Sequence, residues 1–298
     1  MAEKIDISVS VIVLNYKTKE LSIKCVESVF QFTKGLDFEV ILVDNNSLDG
    51  SKEYFRDFAK KFDDERLKII PSSVNSGFTG GNNLGLKKSR GEYVLFLNSD
   101  TQLSENSIEK CIKFLKQNPG VGAIGCQLKN LDGSIQRNGG HFPTLLKVKA
   151  WMLFLDDLPV VERFFPSYHP PAQFFAKSHY QDWLTGAFFL APRKVLDEVG
   201  VWDDDYFMYV EDVDLCWRIK KAGYLVYYFA GTGVKHIGSA SSSSDMSILR
   251  EIKNLKLFYR KNLPNWQTPV LVLLLNLGSL LRLILFRRGV YAKAIASI

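Results

Sequence analysis

The fold is decided by residues 9–50, which read VSVIVLNYKTKELSIKCVESVFQFTKGLDFEVILVDNNSLDG. This stretch opens with an apolar, β-branched run from Val9 to Leu14 and contains a second run of that kind from Phe38 to Val43. Between the two runs, apolar residues recur at the three- and four-residue spacing of a helix. Strands that are apolar on both faces are typical of a parallel sheet covered by helices, so the stretch predicts a strand–helix–strand unit.

The same alternation continues along the chain. Further short apolar runs occupy Leu67 to Ile70, Tyr93 to Leu97 and Val121 to Leu128, with helical spacing between them. A later helix is predicted from Glu211 to Gly223, followed by a strand from Tyr224 to Phe229. The pattern predicts an α/β nucleotide-binding layer, in which a ligand lies beyond the carboxyl ends of the strands.

The alternation breaks down from Gln127 to His179, where the sequence is rich in aromatic residues and proline, as at Phe164 and Phe165. A long irregular insert of this kind is typical of a lid or a binding loop. A second irregular stretch, the serine run from Ser239 to Ser244, is predicted to be a loop.

Composition excludes several classes of protein. The chain has 298 residues, of which 46% are hydrophobic and 23% charged, as expected for a globular protein with a sizeable core. The four cysteines lie far apart, without the spacing of a zinc site, and are expected to be buried in a reducing compartment. The amino terminus lacks the pattern of a signal peptide, so we expect a cytoplasmic protein. The net charge of +6 arises mainly near the end of the chain, which favours a membrane surface over nucleic acid as partner.

Polar residues follow each of the first four predicted strands. These clusters are Asn15-Tyr16, the run from Asp44 to Gly50, Asn75-Ser76-Gly77 and Asn98-Ser99-Asp100. Any one of them is explained by ordinary turn and helix-cap chemistry. Four such clusters at one edge of a sheet instead favour a polar ligand there.

These motifs, together with residues 207–215 (FMYVEDVDL) and His236, occur in the order found in family 2 glycosyltransferases. The chain resembles that family over roughly residues 8 to 240, and within it the bacterial rhamnosyltransferases that build surface polysaccharides. The resemblance implies the A-type glycosyltransferase fold, a Rossmann-like mixed sheet flanked by helices. It also implies a catalytic domain over residues 1–240, followed by a helical segment over residues 241–298.

A family 2 enzyme binds a nucleotide-diphosphate sugar, and carboxylates hold a diphosphate only through a divalent cation, here Mg²⁺ or Mn²⁺. The resemblance places Asp100 at the last position of the family's DxD motif, as a metal ligand, and Asn98 at the first. It also suggests His236 as a second ligand; a lone histidine is otherwise more often structural.

The remaining donor-site predictions also follow the resemblance. Asp44 is expected to accept a hydrogen bond from uracil or thymine, and glycines 77, 80, 81 and 85 to let the backbone approach the nucleotide. Many relatives have arginine where this chain has Asn82, which weakens the case for a charged contact to the diphosphate there. The complete set of predicted donor-binding residues is Asn15, Tyr16, Asp44, Asp49, Gly77, Asn82, Asn98 and Asp100.

Catalysis of an inverting transfer needs a carboxylate that removes the proton from the acceptor hydroxyl. Asp212 occupies the family's base position, and Glu211 is expected to orient it or to contact the acceptor. Asp214 and Trp183 are assigned to the acceptor side. The alternatives are that the acidic residues only complement a helix dipole and that Trp183 is packed in the core.

The segment from Thr268 to Phe286 is almost entirely apolar and close to the shortest length that spans a bilayer. It is expected to be an interfacial helix at the inner membrane leaflet, with Arg282, Arg287 and Arg288 facing anionic headgroups. A transmembrane helix and an oligomer interface, which would make the protein a homo-oligomer, are the alternatives.

The predicted function is therefore an inverting, metal-dependent glycosyltransferase acting on a lipid-linked or polysaccharide acceptor. By resemblance the expected donor is dTDP-rhamnose, with a UDP-sugar, for a galactofuranosyl or hexosyl transfer, as the alternative. A nucleotidyltransferase is disfavoured because residues 15–18 (NYKT) do not form a basic phosphate-binding loop. A non-catalytic sugar-nucleotide-binding homologue is suggested only by Asn98.

Overall fold

A computed structural model describes residues 7–157, 167–238 and 244–297. Within these ranges nine strands form one sheet. The strands are β1 (Val9–Asn15), β2 (Phe38–Asp44), β3 (Leu67–Pro71), β4 (Tyr93–Asn98), β5 (Thr101–Leu103), β6 (Val121–Lys129), β7 (His179–Gln181), β8 (Phe188–Pro192) and β9 (Leu225–His236). Phe164 and Phe165 of the aromatic insert, and residues 239–243 of the serine run, lie outside the described residues.

Ten α-helices of the described ranges surround the sheet. They are α1 (Lys19–Phe32), α2 (Ser51–Phe62), α3 (Gly77–Leu86), α4 (Ser107–Gln117), α5 (Leu145–Met152), α6 (Arg193–Val199), α7 (Glu211–Lys221), α8 (Ser244–Asn262), α9 (Gln267–Phe286) and α10 (Gly289–Ser297). The insert predicted to be irregular contains α5 and two short 3₁₀ helices, Leu155–Asp157 and Ala172–Ala176.

The sheet is mixed, as predicted. Its strand order is β3-β2-β1-β4-β8-β6-β9-β5, with β7 added beside β9. Strands β1 to β4 are parallel to one another, and β8 then runs antiparallel to both β4 and β6. Val11 and Ile12 of β1 are fully buried in separate hydrophobic clusters on opposite faces of the sheet, which explains why the strand sequences are apolar without alternation.

The glycine-rich stretch after β3 forms helix α3, although its glycines were predicted to admit a nucleotide. A Cβ atom at Gly81 would lie 2.4 Å from Leu14 Cδ1, and one at Gly85 would lie 2.5 Å from Ile12 Cγ2. These two glycines therefore let α3 lie close against β1. Gly77 differs, because its φ of +75° places it in the left-handed region and it lines the cavity described below.

The carboxyl-terminal helices belong to the main core. Leu255 and Tyr259 of α8 and Leu271 of α9 are fully buried in the same hydrophobic cluster as Phe189 and Trp202. The described part of residues 241–298 therefore packs into the same hydrophobic core as the rest of the chain.

The prediction that Arg282 faces lipid headgroups is wrong. Its side chain is 7% exposed and donates hydrogen bonds to the carbonyl oxygens of Met152 and Trp151 at the end of α5. Its guanidinium also lies 4.2 Å from the ring centroid of Phe154. Arg282 thus satisfies carbonyls that the end of a helix leaves without partners, and it joins α9 to α5.

Helix α9 is the one helix in the described part of the chain that is long and apolar enough to cross a membrane. Over its most apolar stretch of 18 residues the mean hydropathy is 2.2, and only 28% of that stretch is buried inside the structure. Exposed apolar side chains recur along this helix at a spacing of three and four residues: Val270, Leu273, Leu277, Leu280 and Ile284.

Candidate active site

A cavity of about 600 Å³ opens at the carboxyl ends of β1 and β4. Loops after the strands, the insert and the start of α8 together form its walls. Its lining includes Tyr16, Asn98, Asp100, Arg137, His169, Trp183, Glu211, Asp212, His236, Arg250 and Glu251. The predicted residues Tyr16, Gly77, Asn98, Asp100, Trp183, Glu211, Asp212 and His236 all reach this cavity.

Asp100 and His236 meet because β5 pairs with β9. The register sets Thr101 opposite His236, which brings Asp100 Oδ1 to 3.3 Å from His236 Nε2. The second carboxylate oxygen of Asp100 accepts a hydrogen bond of 3.0 Å from the backbone N–H of Gly238. Asn98 Nδ2 lies 3.5 Å from His236 Nε2. A carboxylate oxygen and an imidazole nitrogen are thereby held next to each other at the cavity wall.

The charge of Asp100 suits a cation ligand. Burial alone would raise the pKa of this carboxyl, but the hydrogen bond and charge that the His236 ring offers in its protonated form, together with Gly238 N–H, outweigh burial and lower the pKa. Asp100 is therefore ionised at neutral pH. The described residues contain no group of three or more His, Cys, Asp and Glu side chains that could hold a metal. A cation at this pair would consequently take most of its ligands from substrate and water.

Glu211 and Asp212 begin α7, after a strained loop. Phe207, Tyr209 and Val210 all have φ between 61° and 71°, a region that non-glycine residues seldom occupy. Asn254 of α8 stabilises the loop, since its Nδ2 lies 2.8–2.9 Å from the carbonyl oxygens of residues 206, 208 and 209. Such strain is found where function needs a fixed geometry.

The two carboxyl groups differ in environment. Burial, together with the neighbouring charge of Asp212, raises the pKa of Glu211 well above its usual range, which favours its protonated form. Its buried Oε2 has no hydrogen-bond partner within the described structure. Burial also raises the pKa of Asp212 to about 7, although the carboxylate accepts a hydrogen bond from Val213 N–H. A carboxyl with a pKa near 7 suits general-base catalysis.

Several cavity residues were not predicted from the sequence. His169 Nε2 lies 2.9 Å from Glu251 Oε1, and the two groups act in opposite directions on the pKa of Asp212, which Glu251 raises and His169 lowers. Arg250 places its guanidinium 4.9 Å from the Phe207 ring centroid. His169 lies in the insert, whereas Arg250 and Glu251 lie on α8, and none of them belongs to a recognisable motif.

Trp183 takes part in both cavity lining and core packing. It is 6% exposed and donates from Nε1 to the carbonyl oxygen of His141 at 3.0 Å. Its ring lies 5.8 Å from that of Tyr168, another cavity residue. An aromatic surface therefore lines the cavity wall formed by the insert.

Four predicted donor-binding residues do not line the cavity: Asn15, Asp44, Asp49 and Asn82. Asn15 donates from Nδ2 to Asp44 Oδ1 and to Ser47 Oγ, both at 2.9 Å, which joins the loops after β1 and β2. Asp49 Oδ1 accepts hydrogen bonds from the backbone and hydroxyl of Ser51 at the start of α2. In the structure these side chains shape the loops beside the cavity.

Asn82 and Asp214 are also directed away from the cavity. Asn82 donates to the carbonyl oxygen of Phe78 within α3. Asp214 is buried, forms an ion pair of 2.8 Å with Arg218, and accepts hydrogen bonds from Tyr206 and Asn262. The structure therefore does not bring Asp214 to the predicted acceptor side.

Comparison with protein families identifies a match of residues 10–200 to the family described as Glycosyl transferase family 2. A curated relative is the N-acetylglucosaminyl-diphospho-decaprenol L-rhamnosyltransferase of Mycobacterium tuberculosis. It is 28% identical over 225 residues, which cover 69% of this chain and 68% of the relative. The poly(ribitol-phosphate) beta-glucosyltransferase of Bacillus spizizenii is 31% identical over 42% of this chain and 20% of its own length.

Solved structures resemble the fold. GalNAc-T7, solved with UDP, GalNAc and Mn²⁺, matches with a TM-score of 0.61 and 15% identity, over 86% of this chain and 48% of its own. The mannosyltransferase PcManGT from Pyrobaculum calidifontis, solved with GDP-Man and Mn²⁺, matches with a TM-score of 0.60 and 17% identity, over 99% of this chain and 84% of its own. The A-type fold predicted from the sequence is thus confirmed.

Proposed function

Since the chain belongs to glycosyltransferase family 2 and is a glycosyltransferase, we propose that it transfers rhamnose, with inversion, from dTDP-rhamnose to an acceptor hydroxyl. One observation carries the proposal. One cavity contains two features. The ionised carboxylate of Asp100 lies beside the imidazole of His236, and the carboxyl of Asp212, which lines the same cavity, has a pKa of about 7. The first pair suits a nucleotide diphosphate held through a metal, and the second group suits an acceptor that must lose a proton.

On the donor side, Asp100 and His236 would hold a divalent cation, which would supply positive charge to the leaving diphosphate. We propose Mn²⁺ over Mg²⁺, because one of the two ligands is nitrogen and Mg²⁺ prefers oxygen ligands in strict octahedral geometry. The presence of Mn²⁺ in the two solved structures of like fold supports this choice. Arg137, a cationic residue that lines the same cavity, can add charge to the diphosphate site.

On the acceptor side, Asp212 would accept the proton of the attacking hydroxyl. The raised pKa of Glu211 favours its protonated form, which can donate a hydrogen bond to a sugar hydroxyl from the carboxyl whose Oε2 has no partner among the described residues. His169 and Glu251 form a hydrogen-bonded pair beside Asp212 and can fix the position of the acceptor. Tyr168 and Trp183 offer the aromatic faces against which pyranose rings stack.

The choice of donor rests on the likeness to the mycobacterial rhamnosyltransferase, which covers more of this chain than the poly(ribitol-phosphate) relative does. A UDP-sugar is the second candidate, because GalNAc-T7 was solved with UDP. The acceptor proposed here is a sugar on a lipid diphosphate, the chemistry named for the mycobacterial relative.

A donor-hydrolysis assay tests the proposed activity without requiring the acceptor. The protein is incubated separately with dTDP-rhamnose, UDP-N-acetylglucosamine and GDP-mannose, with Mn²⁺ or with EDTA. We expect slow release of dTDP from dTDP-rhamnose that requires Mn²⁺ and is the fastest of the three. Faster hydrolysis of the UDP-sugar would replace the donor assignment. Absence of hydrolysis and of nucleotide-induced thermal stabilisation for all three would contradict the function itself.

We further propose that the outward face of α9 contacts the inner leaflet of the membrane. That face is apolar throughout, and two exposed basic residues, Arg287 and Lys293, follow it in the sequence. Arg288 forms an ion pair with Asp245, so it contributes less to binding anionic lipid. A protein anchored in this way would hold its cavity close to a lipid-linked acceptor.

We expect the double variant Leu273→Gln/Leu277→Gln to lose binding to vesicles of phosphatidylglycerol and phosphatidylcholine. Both leucines are exposed, and burial of a leucine contributes about 1.5–3 kcal/mol, so the vesicle partition coefficient should fall roughly 100-fold or more. Sedimentation with vesicles measures the change. Point variants are preferable to truncation, because Leu271 and Leu275 of the same helix lie in the core.

The control is Leu48→Gln, at an exposed leucine outside the helix, which should leave vesicle binding unchanged. Binding by the wild-type chain should weaken with added salt, since basic residues near anionic lipid contribute about 1 kcal/mol each. A wild-type dimer in solution that the double variant converts to monomers, without vesicle binding, would instead identify α9 as an oligomer interface.

A further inference from the structure

Gln136 contacts the proposed metal ligand His236 at two points, although no motif drew attention to it. It follows the turn Asn130 to Gly133, which leaves the end of β6. From there its side chain reaches the end of β9. Gln136 Nε2 lies 2.6 Å from the carbonyl oxygen of His236, and Gln136 Oε1 lies 2.8 Å from His236 Nδ1.

The orientation of this amide is determined by its neighbours. Gln136 Nε2 also donates to Asn130 Oδ1, at 2.5 Å. The Asn130 amide is itself oriented, because its Nδ2 donates to Ser134 Oγ and that hydroxyl donates to Asp132 Oδ1. Two oxygen acceptors therefore require the nitrogen of the Gln136 amide to face them. Its oxygen is left to face the imidazole.

This orientation determines which nitrogen of His236 carries hydrogen. An amide oxygen only accepts, so Nδ1 must be the donor. In the neutral ring, Nε2 then presents a lone pair towards Asp100 Oδ1, 3.3 Å away. Two acceptors that face each other at this distance suit a cation bound between them, and metal-binding histidines usually donate their other N–H to a neighbouring acceptor.

We propose that Gln136 is a positioning residue that fixes the ring orientation and tautomer of His236, so that Nε2 is available to a divalent cation. The inference rests on the proposed function, because it assumes that Asp100 and His236 hold that cation. It gives a role to the hairpin of residues 130–136, which joins the end of β6 to the metal-binding end of β9.

The test compares Gln136→Met with Gln136→Glu. Methionine has similar length but offers His236 no comparable acceptor, whereas glutamate keeps an oxygen acceptor for Nδ1–H. Titration calorimetry measures the affinity of the full chain for Mn²⁺·dTDP, with metal-free dTDP as the baseline. We expect Gln136→Met to weaken the Mn²⁺-dependent part of binding about 10–100-fold. We expect Gln136→Glu to retain it within about threefold.

The control variant is Gln127→Met, which removes a part-buried glutamine amide that bonds Phe175 instead of His236. It should leave Mn²⁺-dependent affinity unchanged. Equal affinity of Gln136→Met and wild type would overturn the inference, as would an equal loss in both Gln136 variants. Wild-type protein that gains no affinity from Mn²⁺ would refute the proposed metal site and this inference together.

A second measurement needs no variant at position 136. Long-range ¹H–¹⁵N NMR spectra of the histidine rings identify the nitrogen that bears hydrogen, and a His236→Gln sample assigns the His236 signal. We expect hydrogen on Nδ1 and a metal-sensitive Nε2. Hydrogen on Nε2 in the neutral ring would overturn the proposal even if every Gln136 variant failed to fold.

Discussion

We expect Asp212→Asn to lower the rate of sugar transfer about 10²–10⁴-fold, the range typical for loss of a general base. The amide has almost the shape of the carboxylate but cannot accept the acceptor's proton. Donor binding should change little, because the proposed metal ligands are Asp100 and His236. Single-turnover transfer measures the first effect, and calorimetry with Mn²⁺·dTDP measures the second.

The pH profile gives an independent check on this assignment. Asp212 acts as a base only when ionised, and its pKa is about 7. The transfer rate should therefore rise as pH increases through 7 and level off above it. In Asp212→Asn, the residual rate should lack this rise. A wild-type rate that falls as pH increases through 7 would point to an acid at this step in place of a base.

Glu211→Gln is the matched control for Asp212→Asn. Burial and the charge of Asp212 raise the pKa of Glu211 and favour its protonated form, which a neutral amide of similar shape imitates in charge and in its ability to donate a hydrogen bond. We expect its transfer rate to fall less than about tenfold, below the general-base range. Near wild-type turnover in Asp212→Asn, or a larger loss in Glu211→Gln than in Asp212→Asn, would exchange the two roles.

The central strands were predictable because burial on both faces leaves an uninterrupted apolar run. The runs beginning at Val9 and Phe38 match β1 and β2 closely. The predicted strand from Tyr224 to Phe229 and the strand-like residues 233–235 form one strand, β9, which continues through two glycines to His236. Strands β5 and β7, of three residues each, depend on pairing with β9 and carry no periodic pattern of their own.

The site was predictable where its residues directly follow strands. Asp100 lies between β4 and β5, His236 is the last residue of β9, and the motif around Asp212 starts α7. Residues contributed by tertiary packing were not predictable: Glu251 enters the cavity only because α8 packs against the core. Arg282 shows the converse, because its charge suggested a surface position while the carbonyl oxygens at the end of α5 hold it inside.

We expect Asp100→Asn to weaken Mn²⁺-dependent donor binding at least about 100-fold, which corresponds to roughly 2.7 kcal/mol. The described chain offers the cation only one carboxylate and one imidazole at this point of the cavity. Loss of the carboxylate removes the only formal negative charge that the pair supplies. Affinity for dTDP in EDTA should be unchanged, because the substitution preserves the shape of the side chain and no cation is then present for it to bind.

Asp44→Asn separates metal binding from nucleotide binding in the same calorimetric assay. Asp44 is buried after β2, accepts hydrogen bonds from Asn15 and Ser47, and does not line the cavity with Asp100. If it contacts the base, as the family resemblance implies, its loss should lower dTDP affinity by the same factor with Mn²⁺ and with EDTA. Asp100→Asn should lower affinity only when Mn²⁺ is present, and His236→Ala should behave in the same way. Full Mn²⁺-supported affinity in both Asp100→Asn and His236→Ala would mean that the cation, if one is used, binds elsewhere in the cavity.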